Sequence, residues 1–421
     1  MKHMILSLCL LPCIVWNAWS QKTLLFEDKI YEPQIKTVQL YPDRGGVQDY
    51  MNAPASSVDA PNLVLEFDDL QAERSNYYAR VVHCTYDWAK SSLMDLDFLQ
   101  DYNEFPLNDY AFSGGTHIPY VHYRFPIPQI KIPGNYLIIL YRDGNKSDIL
   151  LSHRFMLFRD LSSLVQDNQF SGTGTMGRAN QQLNFTIDYS RMEIMNPLES
   201  VHVVLRQNQR WDNAKWDLKP SFLRESDKQM EFHFFDQDKF FNGGNEFRWV
   251  DFRSLTSPGQ NTGTLNRTVK PFQLYVQQDL PRTDQAYAQY NDNDGNYLID
   301  NQDYGEPKVS SNYLEVTFSL NPLKPINDPV YVIGAFNNWA RNDENKMKYY
   351  PNKAAYEVTF LLKQGLYNYQ YLVDSRTLPA TYFEGSHFET ENTYEVLVYN
   401  HSFQPNADQL IGYFVIQVNP R

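Results

Sequence analysis

Cysteine is scarce in this sequence, with 3 in 421 residues. Cys9 and Cys13 lie in an apolar N-terminal segment, so Cys84 is the only cysteine in the rest of the chain. A single thiol cannot form an internal disulfide or a cysteine-based zinc site. The fold must therefore be stabilised by packed apolar cores, and a chain of this length predicts two or three of them at about 150 residues each.

Long apolar runs and an excess of positive charge are also lacking. After residue 20 no segment reaches the roughly 18 apolar residues that a membrane-spanning helix needs. The chain has 37 Lys and Arg against 50 Asp and Glu, which gives a formal net charge of −13. Binding to nucleic-acid phosphates requires clustered Lys and Arg. We therefore expect neither a direct membrane span nor a nucleic-acid partner.

The first twenty residues have the pattern of a secretory signal peptide. A basic start at residues 2–3 precedes an apolar run over 4–16, and residues 18–20 form a small-x-small cleavage site. The alternative is a transmembrane anchor, for which the apolar run is too short. Neither N-terminal cysteine follows a small residue, so lipid attachment is not predicted. We predict that residues 1–20 are removed and that the protein is exported.

Aromatic residues are abundant, at 15% of the chain with 30 Tyr and 26 Phe. They recur in short alternating runs bounded by Gly, Pro, Asn and Asp, which is typical of strands and turns. Only 89–102 has the spacing of a short helix. The sequence therefore predicts an all-β protein of tandem immunoglobulin-like antiparallel β-sandwich domains. The clearest predicted strands are 63–67, 77–83, 136–141, 183–189, 201–205, 272–276, 314–320, 356–362 and 394–399.

Two polar segments suggest domain boundaries. Residues 162–179 are rich in Gly and Ser or Thr, and 284–311 is rich in Asn, Asp, Gln and Gly. Both compositions are typical of linkers or long loops. The predicted units follow the signal peptide: an N-terminal β-sandwich over 21–160, a middle β-sandwich over 161–283, a linker or long loop over 284–311, and a C-terminal β-sandwich over 312–421.

No catalytic motif is present: the chain has no Gly-x-Ser-x-Gly elbow, no P-loop and no dinucleotide fingerprint. Cys84 follows His83, but adjacent strand residues point to opposite faces, so Cys84 is interpreted as a small buried apolar residue. Carboxylate pairs for glycoside hydrolysis stay open as an alternative, because their separation in space is not visible in a sequence. Glu246 and Arg248, two apart, are predicted to form a structural ion pair. We predict no enzyme activity and no cofactor.

Metal binding is not predicted either. His117 and His122 are five residues apart and would lie on opposite faces of one strand. The run 292–296 (DNDGN) resembles a calcium loop, but an EF-hand register would put Tyr290 and Asn301 at positions one and twelve, where carboxylates are needed. A loose calcium site there remains an alternative.

The C-terminal unit contains VYVIGAFNNW (330–339) and GLYNYQYLVD (365–374). These segments resemble early-set immunoglobulin-like modules that bind glycogen and starch. The resemblance implies that Trp339 stacks on a sugar, although Gln370 occupies the position of a sugar-binding lysine. A single exposed Trp gives one stacking platform, and useful affinity needs convergent polar groups around it. The alternative is that Trp339 packs beside its own sheet.

The chain as a whole resembles the plug protein family of the type IX secretion system. The segments that carry the resemblance span all three predicted units: IKTVQL (35–40), HCTYDW (83–88), YVHY (120–123), GNYL (134–137), LRQN (205–208), GNEFR (244–248), ENTY (391–394), LVY (397–399) and DQLIGY (408–413). The resemblance implies a periplasmic, non-enzymatic protein on the inner side of the outer membrane. It also implies a partner, the large outer-membrane β-barrel translocon subunit, and contacts with other translocon accessory proteins.

Closing such a barrel requires shape complementarity with aromatic anchors and a polar rim. The loop 101–116 carries Tyr102, Phe105, Tyr110 and Phe112, which are the candidate interface residues. The alternative for these four is simple packing under the loop. The second hypothesis for the whole chain is a secreted carbohydrate-binding protein that uses Trp339, and the third is a glycoside hydrolase or its accessory.

Overall fold

The computed structural model describes residues 22–46, 48–166, 177–234, 239–257 and 259–420. The predicted signal peptide, 1–20, lies outside these residues, as does the central part of the predicted boundary at 162–179. Strands dominate the described chain, and its α-helices are one-turn segments: α1 (Asp95–Phe98), α2 (Pro197–Ser200) and α3 (Pro307–Ser310). None of the helices described is long and apolar enough to cross a membrane. The prediction of an all-β fold is confirmed.

The first part of the chain forms two sheets that face each other across one core. Their strands are β1 (Lys29–Ile30), β2 (Ile35–Pro42), β3 (Ala55–Ser57), β4 (Leu63–Asp69), β5 (Tyr77–Cys84), β6 (Phe105–Pro106), β7 (Asp109–Phe112), β8 (Val121–Pro126), β9 (Gly134–Arg142) and β10 (Ile149–Phe158). One sheet has the order β1-β10-β9-β5-β6, with β3 parallel to β10, and the other β2-β4-β8-β7. Alternate residues of β5, including Tyr77, Ala79 and Val81, are buried in this core, as the period of two requires.

A second core begins in the next segment. Its strands are β11 (Ser163–Gln166), β12 (Asn180–Gln181), β13 (Phe185–Asp188), β14 (Val201–Gln207), β15 (Phe222–Arg224), β16 (Gln229–Phe232) and β17 (Phe241–Asn242). Four of them form a sheet of order β11-β13-β16-β15, and β12 pairs with β17. Stacked rings of Phe185 and Phe232, 5.0 Å between centroids, lie in this core. The strand β14 belongs to neither of these sheets, and among the described residues of this segment it forms only an isolated bridge, between Leu205 and Lys215.

The third core is built from β18 (Arg248–Asp251), β19 (Thr262–Asn266), β20 (Phe272–Val276), β21 (Tyr297–Ile299), β22 (Tyr313–Leu320), β23 (Val330–Ile333), β24 (Lys348–Tyr350), β25 (Ala355–Lys363) and β26 (Gly365–Val373). One sheet has β26 paired with β18, β21 and β23, and the other has the order β19-β20-β22-β25-β24. The core between them contains Val316, Phe318, Tyr369 and Tyr371, all of which are fully buried. Residues 297–299, within the predicted linker, are a strand of this core.

The last hairpin returns to the second core. It consists of β27 (Asn392–Phe403) and β28 (Asn406–Val418), and β27 pairs with all seven residues of β14. Tyr394, Val396 and Ile416 are buried with Leu183 and Phe185 in one cluster.

The predicted boundaries therefore need correction. Residues 392–418, predicted within the C-terminal unit, complete the middle core, and 248–283, predicted within the middle unit, belongs to the third core. The alternating pattern identifies each strand, but it carries no information about which distant strand is its partner. The third core is thus an insertion between β17 and β27.

His83 lies at the junction between the first sandwich and this hairpin. Its side chain is 1% exposed and packs edge-on against Tyr136, with ring centroids 5.0 Å apart. A Cβ on Gly134 would lie 2.5 Å from its Nε2 atom, so only glycine fits beside the imidazole. Burial lowers the pKa of His83 to about 4. The adjacent Cys84 is also buried, as predicted, and burial raises the pKa of its thiol to about 12.

The depressed pKa of His83 predicts a loss of stability in mild acid. Between its unfolded pKa of about 6.5 and its folded pKa of about 4, only the unfolded chain binds the proton. The free energy of unfolding should therefore fall as pH drops through this window, by on the order of 3 kcal/mol from this group. His83→Phe keeps a ring of similar size and removes the titration. Urea unfolding at pH 7 and pH 4 should show a smaller fall in the variant, and an equal fall in both proteins would contradict this assignment.

Candidate functional site

A buried ion pair joins the first sandwich to the third core. Lys363 Nζ at the end of β25 lies 2.6 Å from Asp68 Oδ2 on β4, and both side chains are 1% exposed. The hydroxyl of Tyr313 donates to the same carboxylate at 2.7 Å, and the Nδ1 atom of His122 lies 2.8 Å from its other oxygen. Both oxygens of Asp68 are therefore engaged, which is the condition under which a buried carboxylate is tolerated.

Glu66, two residues earlier on β4, forms the second part of this ionic cluster. The hydroxyl of Tyr41 donates to Oε2 at 2.7 Å, and the Nζ atom of Lys308, in α3, donates to Oε1 at 2.5 Å. Burial alone would raise the pKa of Glu66, but the nearby His122 and the hydrogen bond from Lys308 outweigh burial and hold its pKa at about 2. The cluster is thus charged at neutral pH and bridges two separate cores.

Further contacts fix the loop after β7 against the segment around α3. The backbone N–H of Gly114 donates to the carbonyl of Val309 at 3.0 Å, and that of His117 donates to Asn312 Oδ1 at 2.9 Å. The hydroxyl of Tyr120 donates to the carbonyl of Ser311 at 3.0 Å. One side of the first sandwich is therefore held by the third core, while β6 and β7 lie at sheet edges.

The four candidate interface residues lie at these edges, and we call them the aromatic edge. Tyr102 and Phe112 are 75% and 55% exposed, whereas Phe105 and Tyr110 are partly buried against the first core. The rings of Tyr110 and Phe112 meet edge-on at 5.8 Å. The aromatic edge thus combines two packed rings that fix its shape with two exposed rings that a partner could contact.

Trp339 is not placed for sugar stacking. Its side chain is 7% exposed, with the guanidinium of Arg210 4.4 Å from the ring centroid and the ring of Phe247 5.6 Å away. A Cβ on Gly295 would lie 2.2 Å from the indole, so the 292–296 loop packs directly against it. The indole therefore has no free face for a sugar, and it packs as a core residue between the second and third cores.

The carboxylates of the same loop already accept hydrogen bonds from other groups of the protein. Asp292 accepts hydrogen bonds from the backbone N–H groups of Asp294, at 2.7 Å, and Phe247. Asp294 Oδ2 accepts one from the Thr393 hydroxyl at 2.8 Å. Burial raises the pKa of Asp292 to about 8, and its carboxyl group already accepts two backbone hydrogen bonds. Across the described residues, no group of three or more His, Cys, Asp or Glu side chains is arranged to hold a metal ion.

The predicted pairing of Glu246 with Arg248 is wrong. Arg248 instead contacts Glu384, at 3.0 Å, and Asp279, at 2.7 Å. Arg282 also reaches Glu384 at 2.6 Å. Burial by itself raises the pKa of Glu384, but the two arginines outweigh it and hold the pKa at about 2. Such a carboxylate cannot serve as the proton donor that glycoside hydrolysis requires.

A cleft of about 520 Å³ lies between the second and third cores. Its walls carry many amide side chains, and several of these bond to each other. Asn208 Nδ2 donates to Asn392 Oδ1 at 2.8 Å, and Asn392 Nδ2 donates to the carbonyl of Gly243 at 2.8 Å. The bond from Asn392 to Gly243 joins the two chain segments between which the third core is inserted, and these amides are already occupied as hydrogen-bond partners.

Two features were missed by the sequence reasoning. The ionic cluster has no local signal, because Asp68 and Lys363 are 295 residues apart. The other feature is an exposed apolar group in which Met94 and Leu96 are each 76% exposed and Phe403 is 77% exposed. The hydroxyl of Ser92 donates to the carbonyl of Asn406 at 3.1 Å and links the two segments. The sequence signal that could have indicated this group is the presence of apolar residues next to turn-forming residues.

Removing one partner of the buried pair should be costly. Lys363→Met leaves Asp68 buried without its cation, and we expect a loss of about 3–5 kcal/mol in the free energy of unfolding. The matched control is Lys353→Met, because Lys353 is 48% exposed and pairs with Glu357 at 2.7 Å. That change should have a much smaller effect on urea unfolding, because solvent screens an exposed ion pair. Equal losses in the two variants would contradict the structural role of the cluster.

The burial of Trp339 makes a second prediction. Trp339→Ala should lower the free energy of unfolding by about 3–5 kcal/mol, because it leaves a cavity under the 292–296 loop. The unaltered protein should pass through an amylose column without retention. Retention of the unaltered protein would show that the indole is available to sugar.

The chain is similar to a solved structure over most of its length and to a family model over its first part. The chain is similar over its length to the crystal structure, at 2.30 Å resolution, of a hypothetical protein from Parabacteroides merdae ATCC 43184, with 27% sequence identity and a TM-score of 0.86. The similarity covers 94% of this chain and 100% of that one. No curated protein matches the chain. Residues 35–159, which run from the start of β2 to the end of β10, match the family model for the first domain of the type 9 secretion system plug protein. This match supports the plug family and a role associated with type 9 secretion.

Proposed function

We propose that this protein is a non-enzymatic periplasmic subunit of the type IX secretion system that closes the periplasmic opening of the outer-membrane translocon barrel. The observation that carries the proposal is the match of residues 35–159 to the first domain of the plug protein. The sequence resemblance to plug proteins in segments after this range, from 205–208 to 408–413, supports it. Export of the chain rests on the signal-peptide pattern of residues 1–20.

The physical requirement on such a protein is rigidity. A wide barrel encloses an aqueous channel, and a body that closes it must keep its shape against solute and solvent. The three cores are tied together by buried contacts: the Asp68–Lys363 pair links the first to the third, and the β14–β27 ladder holds the hairpin to the second. A fourth apolar cluster, including Leu137, Val204 and Tyr399, joins the first sandwich to this hairpin. These contacts support movement of the protein as one unit.

The aromatic edge is the proposed contact with the barrel subunit. Tyr102 and Phe112 provide large exposed rings, and interfaces gain most of their energy from a few such anchors. The packed rings of Phe105 and Tyr110 limit the motion of the strands that carry them. Limited motion lowers the entropy lost on binding.

The proposal is tested in the native envelope with the double variant Tyr102→Ser, Phe112→Ser. The variant should recover at least about tenfold less of the large barrel subunit by affinity purification, since each buried aromatic anchor contributes on the order of 2 kcal/mol. Phe222→Ser is the matched control, because Phe222 is 58% exposed on an edge strand of the second core. It should leave recovery unchanged.

Permeability gives the functional measurement. Cells that lack this protein but assemble the translocon should take up bulky antibiotics faster than cells that contain it. Purification of the assembled translocon with its periplasmic opening vacant, in cells that produce this protein, would overturn the proposal. Unchanged antibiotic uptake after deletion of this protein would contradict its proposed role in sealing the barrel.

A further inference from the structure

The strand β7 is an open sheet edge with an unusual composition. It is the last strand in the order β2-β4-β8-β7, and of its four residues only Tyr110 is partly buried. Its register with β8 is regular, since Asp109 lies opposite Arg124 and Phe112 opposite Val121. It contains neither lysine nor proline. Soluble proteins usually protect an open edge with charge, proline, a bulge or a very short strand.

The other edges of the first sandwich carry such protection. The strand β2 has a register shift between Lys36 and Gln39, with Thr37 at a φ of 51°. The strand β6 is two residues long and ends in Pro106, and β1 is also two residues long. Among the edges named here, β7 is therefore the one where regular pairing can continue, and it is open as far as Phe112, because the next outward N–H, that of Gly114, donates to the carbonyl of Val309.

The hydrogen-bond parity of β7 shows which backbone groups face outward. The N–H of Ser113 donates to the carbonyl of Tyr120 at 2.9 Å, so these two residues form a hydrogen-bonded pair. In an antiparallel ladder such pairs alternate with pairs whose backbone groups point away. Ala111 therefore bonds to β8, whereas the N–H and carbonyl groups of Tyr110 and Phe112 point away from the sheet.

The side chains beside this edge indicate what it would accept. The guanidinium of Arg74 lies 4.8 Å from the Tyr110 ring centroid and is exposed. Asp109 lies 3.6 Å from Arg124, which also pairs with Asp43, and Arg74 is the cation that lies over the Tyr110 ring. The exposed ring of Phe112 adds an apolar surface. The outward N–H and carbonyl groups of Tyr110 and Phe112 are two residues apart, which is the spacing of the hydrogen-bonding groups on one side of an extended peptide. An acidic side chain on that peptide would pair with Arg74.

We propose that β7 is an acceptor edge for an extended peptide segment of a partner protein, which adds to the sheet as a fifth strand. The segment has apolar residues at alternate positions, facing Tyr110 and Phe112, and an acidic residue near Arg74. Binding of this kind needs no barrel, so the proposal does not depend on the function proposed above.

A random eight-residue peptide library displayed on phage tests this proposal against the immobilised full chain. Selection should yield acidic peptides with alternating apolar residues. Phe112→Pro removes the outward N–H without touching the ladder to β8, because proline is tolerated on the outer side of an edge strand. It should weaken the selected peptides by at least about tenfold relative to Phe112→Ala, which keeps that N–H.

A second experiment uses N-methylated forms of a selected peptide with the unaltered protein. Its result does not depend on whether the Phe112→Pro variant folds. Methyl groups on the amides that face β7 should abolish binding to the unaltered protein, whereas methyl groups on the intervening amides should change it less than threefold. Equal effects of the two methylation patterns would overturn the proposal. So would a selection that yields no peptide sensitive to Phe112→Pro.

Discussion

The buried pair between Asp68 and Lys363 is the interaction on which the arrangement of the first and third cores depends. Its two charges are almost fully excluded from solvent, and both come from strands whose sandwiches are otherwise complete. A buried pair of this kind contributes little net stability compared with apolar packing. Separating its two members is costly, however, because each would remain as an uncompensated buried charge. The pair therefore specifies one orientation of the two cores and disfavours others. Lys308 extends that specificity, because its ammonium on α3 donates to Glu66 of the first sandwich.

Local patterns predicted much of the secondary structure and little of the tertiary arrangement. The alternation of apolar and polar residues located strands such as β5, because period two depends only on neighbours in sequence. The partner of β14 is β27, and Arg206 and Glu395 of these strands form a buried pair across 189 residues. No pattern within either strand identifies the other, which is why the predicted unit boundaries differ from the cores.

The candidate site was likewise predicted only where local sequence was sufficient. Residues 101–116 were recognised as an aromatic loop from composition alone, and the structure places Tyr102 and Phe112 at its surface. Trp339 illustrates the limit of a motif. The segment around it resembles a sugar-binding module, yet the residues that cover its indole, Arg210 and Gly295, lie outside that segment. Exposure of a ring is a property of the whole fold, so a local resemblance cannot establish it.

The return of the final hairpin to the second core has a consequence for the order of assembly. Residues 248–388 hold a complete apolar core of their own, while the second core lacks the β27 and β28 strands until residues 392–418 are available. Closing a loop of this length costs only slightly more entropy than closing a short one, so the topology is affordable once the inserted core has folded. A chain emerging from its N-terminus would carry the exposed apolar side of β14 from the appearance of residue 207 until residues 392–418 follow. That interval is when Val203 and Leu205 are most open to aggregation or to a chaperone.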